Sequence, residues 1–523
     1  MKKGNKKNNR KNIKAGTMQR FAMSFPAAGL VILMTGVFPL FYTNNYINII
    51  QSKKFIFEVI SIMTLVTAAI IILVTRDIHS FVGTVNERIP KSKKICIVLL
   101  LLGLLISTLV SDMPMNSLTA PDGRRYGVIF MLLCIFAYVF TAAFFVPGRW
   151  VMWIVCIVNG FMSILVIADN WKKDILGMKS NLVDYQFSKF TGTMGNININ
   201  ASYFAIIIPL VVTVFYISKK MGIIENDLMM ICCMLLFATG LCIRSDSIIW
   251  CTLLCVVMIN FNCYLDGDKV RYIKMVLING ALVMSYFITG CFYNSDRYES
   301  YHFSELGVSM CRGKGLYAIT VLFAASLIMM IIKIRFKGFD FTKSFKVGTI
   351  VLCCIIAAGA ILIIAANIFP LFFDKSPLSK LVISESFGTN RGYVWKRTIS
   401  MIKKEGFVYF VTGHGMNRFF VPFYKYYYEE MMSRFTSPYI DAHNELLQML
   451  VTTGIMGCAG YMGMMITGVC NGVKKYASNP LVLVEVMVLS SYLLQGIVNN
   501  PQVFTLPLIF LFMGAVNNLC ETK

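Results

Sequence analysis

Apolar runs close to the ~20 residues that a helix needs to cross a bilayer recur along the whole chain, at about 21–42, 55–75, 94–110, 127–146, 150–169, 201–217, 225–243, 247–264, 273–292, 315–334, 347–368, 445–470, 480–498 and 502–519. The closely spaced pairs within 127–169 and 225–264 are the hardest to separate. The pattern predicts an all-α, polytopic transmembrane helix bundle of about 12–14 spans. The polar stretches between the runs alternate in character. "RDIHSFVGTVNERIPKSKK", "SKK", "DGDKVRYIK" and "IKIRFKGFDFTKSFK" are short and rich in Lys and Arg, which assigns them to the cytoplasm. Residues 111–126, 170–200, 244–246, 293–315 and 369–443 then face outside. The last carries ten Lys and Arg, but long loops translocate largely regardless of charge.

Four regions follow from this reading. Residues 1–20 form a basic, Asn-rich cytoplasmic tail, expected to be disordered because it has too little apolar surface to bury. Residues 21–368 form transmembrane helices, opening on an uncleaved first span. Residues 369–443 are a large extracytoplasmic loop containing short helices. Residues 444–523 are the C-terminal transmembrane helices. In the loop, "RGYVWKRTISMIKKEG" places Trp395, Ile399 and Ile402 on one helical face and Lys396, Lys403 and Lys404 on another, with Gly406 as a natural stop. The aromatic stretch "RFFVPFYKYYYEEMMSRF" suits the membrane interface, so the loop reads as a structured cap rather than a linker.

Composition agrees. Of 523 residues 57% are hydrophobic and 14% charged, and the mean hydropathy is +0.67; soluble domains carry about a quarter charged residues. The net charge of +23 is scattered among short loops, where positive-inside bias and anionic headgroups account for it without nucleic acid. Most of the 16 cysteines lie inside apolar runs (Cys232, Cys233, Cys251, Cys255, Cys353, Cys354) and there is no C-x-x-C pair, so no zinc or redox site is indicated. Cys291 and Cys311 read as free thiols, with a disulfide between them as the alternative.

Candidate chemistry gathers in the segments assigned outside. In "SPYIDAHNELLQMLVTTGIMG", Asp441 fits a helix N-cap, which puts His443 and Asn444 in the first turn. The positive end of the helix dipole would keep that imidazole neutral and suited to general-base work; a solvated interfacial histidine beside a capping aspartate is the plainer alternative. Asp441 caps the helix or orients His443, and Asn444 contacts substrate or completes the cap. "SLTAPDGRRYGVIF" supplies Arg124 and Arg125, "GTNRGYVWKR" supplies Arg391, and "FTGTMGNININASYF" sets Asn196, Asn198 and Asn200 just before a span. Arginine is the residue for bidentate phosphate contacts. Several arginines and one histidine at one membrane face fit a substrate whose leaving group is a lipid pyrophosphate.

"AHNELLQMLVTTGIMG" resembles the His-Asn…Leu…Gly-Ile-x-Gly pattern of the O-antigen ligase and O-antigen polymerase superfamily, which also includes bacterial protein O-oligosaccharyltransferases. "GTMGNININA" is similar to its Gly-Thr-x-Gly-Asn-x-Asn element. "RGYVWKRTISMIKKEGFVYFVTGHGMNRF" is similar to its Arg-x-x-x-Trp…Gly-x-Gly-x-x-x-Phe run, with His414 between the glycines, and "GRRYGV" to its Arg-x-x-Gly element at Arg124 and Gly127. Together they span residues 120 to 460 in the family's order. In one place the chain departs from the family: "CIRSDSIIW" has Asp246 where the family usually carries an arginine, with Arg244 two residues earlier.

The resemblance implies a polytopic glycan transferase of cell-surface polysaccharide biosynthesis in the inner membrane. A saccharide would pass from an undecaprenyl-pyrophosphate carrier to a hydroxyl of a glycan, lipid or protein acceptor on the extracytoplasmic face. His443 would be the catalytic base. Arg124 and Arg391, with Arg244 as a displaced third, would hold the pyrophosphate, and Asn196, Asn198 and Asn444 would complete substrate binding. No cofactor and no metal is implied, because pyrophosphate is already a good leaving group. A transporter or flippase for a lipid-linked oligosaccharide is the alternative; it would place its functional charges at mid-bilayer depth.

Overall fold

The computed structural model describes residues 2–295, 299–336, 358–359, 361–363, 365–367, 379, 381–476 and 479–519. The chain is an all-α, multi-pass membrane protein. Ten helices among the described residues are long and apolar enough to span: Thr17–Val37 (the end of α1, Lys2–Ile32, with the π-helical turn Leu33–Val37 that follows it), Ile49–Thr75 (α2), Lys91–Val110 (α4), Arg149–Asn170 (α7), Ile197–Ile217 (α9), Ile223–Cys242 (α10), Asp246–Asp266 (α11), Lys269–Phe292 (α12), Lys314–Arg335 (α14) and Glu445–Lys475 (α17). Three shorter apolar helices, Val128–Phe144 (α6), Val482–Gly496 (α18) and Leu506–Leu519 (α19), complete the bundle. Thirteen of the fourteen apolar runs therefore fall on helices; most of the fourteenth, 347–368 with Cys353 and Cys354, lies outside the described residues, as do 369–378 and 380 of the large loop. Cys291 and Cys311 are free thiols.

The basic tail is helical backbone continuous with α1. A Lys/Asn-rich segment that extends an existing helix avoids the cost of nucleating its own. Short helices lie between the spans: Ile78–Arg88 (α3), Pro114–Thr119 (α5), Asp184–Phe187 (α8) and Glu305–Arg312 (α13). A two-residue antiparallel hairpin pairs Phe190 with Asn196 and Thr191 with Gly195. Asn200 holds it from α9: its amide donates to the carbonyls of Thr191, Gly195 and Asn196 at 2.9, 3.0 and 3.2 Å. The hydroxyl of Thr193 donates to the Pro39 carbonyl at 2.8 Å, and Lys53, buried in α2, donates to the carbonyls of Phe38 and Pro39. A buried lysine inside a span is thus satisfied by carbonyls that the end of the first helix leaves free.

Helix α17 is bent, and the bend builds the site. Gly454 has φ +65° and ψ −176° inside Glu445–Lys475. Glu445 accepts from Tyr461 at 3.0 Å, and Cys458 Sγ lies 3.6 Å from the Leu446 carbonyl. In a straight helix residues 16 and 12 positions apart would be separated by ~24 and ~18 Å, so the 445–453 segment folds back across the top of the remainder. The run read as one span at 445–470 is a short half-helix followed by the spanning part. The break frees the carbonyls of Val451 and Thr452, and the amides of His414 and Gly415 donate to them at 3.0 and 2.9 Å. Opened backbone near a membrane is tolerated only when it is re-satisfied in this way. Glycine is required on both sides: a Cβ at Gly454 would sit 2.1 Å from the Val411 carbonyl, and one at Gly413 would sit 2.5 Å from the Gly454 nitrogen.

The described part of the large loop has its own core. Tyr393, Val394 and Met401 of Phe387–Thr412 (α15) pack with Phe419, Phe423, Tyr427 and Met431 in and beside Phe420–Arg434 (α16). Ala442 and Val451 belong to the same cluster, so the loop is seated on the start of α17. Arg397 donates to Glu430 through Nη2 at 2.6 Å and Nε at 3.1 and 3.2 Å. Gly406, with φ +83°, breaks α15 at the predicted stop. The predicted face is met in part: Ile402 packs against this core, whereas Ile399 is 47% exposed, because the aromatic helix α16 packs chiefly on Tyr393 and Met401.

Candidate active site

The turn that leads into α17 binds its backbone amides with side chains. Ala442 N donates to Gln448 Oε1 at 2.9 Å, His443 N to Asp441 Oδ1 at 3.0 Å, and Leu447 N to Asn444 Oδ1 at 2.9 Å. Asn444 is therefore the N-cap, and its amide also donates to the Ile497 carbonyl at 2.8 Å. This corrects the expectation that Asp441 caps the helix. His443 precedes the first turn and holds φ +47°, a left-handed conformation that a non-glycine residue keeps only when its surroundings enforce it.

Asp441 is fully buried and faces two partners. Arg124 donates to its Oδ2 through Nε at 2.6 Å and through Nη2. His443 Nδ1 lies 3.3 Å from its Oδ1. Burial alone would raise the Asp441 carboxyl, but Arg124 and His443, with the His443 backbone amide, hold it below the ordinary carboxylate range. His443, whose side chain is 24% exposed, is lowered below the ordinary histidine value first by burial; Asp441 opposes that, and Arg124 and Arg391 add to it. Neutral imidazole is thus favoured by desolvation and two guanidinium groups, not by a helix dipole. Tyr439 meets the ring edge-to-face with centroids 5.8 Å apart.

Arg391 acts on both Asp441 and His443 electrostatically. It follows three consecutive left-handed residues, Gly388, Thr389 and Asn390 (φ +58°, +62° and +69°). Burial lowers its pKa, with Asp441 and Tyr439 opposing. It has no hydrogen-bond or ion-pair partner among the described residues. Arg124, Arg391, Asp441 and His443 therefore come together from three parts of the chain.

The other candidates have polar partners of their own outside that group. Arg244 donates to Asn170 Oδ1 at 3.1 Å and to the Ser188 carbonyl at 2.8 Å, and it stacks on Tyr301 with 4.7 Å to the ring centroid. Beside it Lys179 pairs with Asp169. Asn196 caps α9, accepting from Asn198 N at 2.8 Å. Asp246 accepts from Ser304.

Sequence reasoning missed Asn417 and Arg418. Asn417 is buried; its amide donates to the Asp122 carbonyl at 3.1 Å and to Asp122 Oδ1 at 3.2 Å, while its oxygen accepts from Arg124 N at 3.2 Å. Arg418 grips Asp112 with both ends of its guanidinium, at 3.2 and 2.8 Å. The only signal for either was their position in the Gly-x-Gly-x-x-x-Phe run. Glu445 was also missed; its buried carboxyl accepts from Tyr461 and Tyr492 at 3.0 and 2.8 Å. Among the described residues no group of three or more His, Cys, Asp and Glu is placed to hold a metal ion.

A helix bundle with a histidine, an aspartate and two arginines at the seat of a large loop gives a membrane protein with a polar site of acid–base character. Residues 307–462 match the O-antigen ligase family model. Over that stretch the chain is similar to the O-antigen ligase superfamily, and the match supports an O-antigen ligase-like membrane enzyme of glycan biosynthesis. The match covers Arg391, Asp441, His443 and Asn444; Arg124, Asn196, Asn198 and Arg244 precede it. No curated protein matches the chain.

Proposed function

We propose that the protein transfers a saccharide from an undecaprenyl-pyrophosphate carrier to an acceptor hydroxyl on the extracytoplasmic face of the inner membrane. The carrying observation is the contact chain Arg124–Asp441–His443, with the Arg391 guanidinium acting electrostatically on both Asp441 and His443. Asp441 opposite Nδ1 keeps the proton there and leaves the Nε2 lone pair as base. As the acceptor oxygen bonds to the anomeric carbon, its proton passes to Nε2, and the bond from that carbon to the pyrophosphate oxygen breaks with its electron pair on the leaving group. Attack opposite the leaving group inverts the anomeric centre.

Arg391 is the principal pyrophosphate contact, holding the charge that develops on departure. Arg124 has Nε and Nη2 committed to Asp441, so its larger part is to fix Asp441, with Nη1 left for phosphate. We assign Asn444 and Asn196 to capping and Arg244 to bracing the 170–188 segment, with Asn198 a secondary contact. No metal is required. The acceptor is a glycan, a lipid or a protein.

The test is purified protein in liposomes with an undecaprenyl-pyrophosphate-linked saccharide and its acceptor. Release of undecaprenyl pyrophosphate together with a glycosylated acceptor supports the reading. Movement of intact lipid-linked saccharide across the bilayer with no cleavage would replace it with the flippase alternative.

A further inference from the structure

The Arg124–Asp441–His443 chain just described depends on the turn that carries Arg124. Arg124 sits in "PDGRRYG", a turn with positive φ at Gly123 (+58°) and Arg125 (+60°) and only one internal backbone hydrogen bond, Arg125 N to Asp122 O at 3.1 Å. Such a turn does not by itself hold a guanidinium in place. What holds it comes from the large loop, nearly 300 residues later. Asn417, itself left-handed at φ +59°, uses every hydrogen-bonding end of its side chain on this turn: two donor contacts to Asp122 and one acceptor contact from the Arg124 amide. The backbone of Asn417 is fixed independently on both sides, by Arg418 on Asp112 and by His414 and Gly415 on the broken carbonyls of α17.

We propose that Asn417 is a positioning residue: by fixing the 122–124 turn it sets Arg124 against Asp441, and through that pair it orients His443. The inference rests on the transferase reading. The large loop then both presents Arg391 and completes the Arg124–Asp441–His443 chain, so the base is correctly set only when the loop is seated on the 112–124 segment.

A plain structural brace would lower stability and nothing else. A positioning role also changes how His443 titrates. The charged and titratable groups facing His443 are Asp441 on its own turn, Arg124 on the 122–124 turn, Arg391 on α15 and Tyr439 at the ring edge. Arg124 lowers the His443 pKa and Asp441 raises it. If Arg124 is released, the cation is lost and Asp441 is left to the imidazole, so the histidine must titrate at higher pH.

The experiment uses the full chain in liposomes and follows diethyl pyrocarbonate modification of the His443 peptide against pH, alongside saccharide transfer. Asn417→Gly deletes the side chain while accepting the left-handed backbone. It should move the His443 midpoint up by about half a pH unit or more, and lower kcat roughly tenfold with little change in KM for the donor. Arg124→Ala should give the same shift, and the double variant no further one, as expected of residues acting through one another. Asn417→Gln keeps a donor and an acceptor end on a longer arm; it should shift the midpoint less than Asn417→Gly does, and it serves also if the glycine variant fails to fold. An unchanged midpoint in Asn417→Gly, a shift that adds to that of Arg124→Ala, or a shift in Asn417→Gln as large as that in Asn417→Gly overturns the proposal. Wild-type protein that shows the modification profile but transfers no saccharide refutes the transferase reading alone.

Discussion

Arg124 and Asp441 stand 317 positions apart in the chain and form a partly buried ion pair, with Nε donating to Oδ2 at 2.6 Å. Asp441 has no exposed side-chain surface, whereas Arg124 retains 30%, so the pair has one dry end and one end open toward the site. Its effect reaches the neighbouring imidazole, because Asp441 Oδ1 lies 3.3 Å from His443 Nδ1. Asp441→Asn keeps the shape but removes the charge that raises the His443 pKa. The acidic limb of the pH–rate profile should therefore move to lower pH, while kcat falls roughly tenfold or more through loss of ring orientation. A limb that moves to higher pH would contradict this sign.

The proposed general-base role needs neutral His443, and burial with two arginines lowers its pKa from the ordinary value. Transfer should rise with pH through a midpoint below ~6.5, the unperturbed histidine value, and stay level across neutrality. A midpoint clearly above that value would mean that Asp441 outweighs desolvation and both guanidinium groups.

Arg391 and Arg244 should separate by what their loss affects. Arg391→Lys keeps the charge but not the planar fork; a lost contact of this type costs about 2–4 kcal/mol, or roughly a hundredfold in transfer, with normal stability. Arg244→Ala removes two hydrogen bonds and a stacking contact and should appear chiefly as lower thermal stability, by about 2–4 kcal/mol. Full activity in Arg391→Lys would remove that residue from the pyrophosphate site.

The helix arrangement was legible because it depends on runs of apolar residues, and all thirteen runs on described helices lie where the pattern places them. The candidate site was legible in the residue types it brings together and not in its wiring. Asp441 followed by Ala-His-Asn has the composition of a helix start, and local pattern cannot tell that Asn444 takes the cap while Asp441 turns to an arginine 317 positions away. Likewise, Gly454 reads as one more small residue in a span; its role appears only when Gly413 and Gly415 are laid against it. Gly454→Ala should therefore destabilise the protein by ~3 kcal/mol or more, since it combines a strained φ with a backbone clash, and thermal unfolding in detergent would measure it. Wild-type stability in that variant would contradict the described contact.

The orientation can be checked without any substrate. Single cysteines placed at exposed positions of 381–441, in a background where the exposed Cys291 and Cys470 are replaced, should react with a membrane-impermeant maleimide added to cells whose cytoplasmic membrane is intact. Reaction only after that membrane is permeabilised would put the site on the cytoplasmic side.

The most direct measurement is saccharide transfer by His443→Ala in liposomes supplied with the undecaprenyl-pyrophosphate-linked donor and acceptor. Loss of the general base predicts a fall of roughly 10²–10⁴-fold, with membrane insertion and thermal stability unchanged and with His414→Ala and His302→Ala retaining most activity. Transfer by His443→Ala at a rate close to wild type would contradict the account.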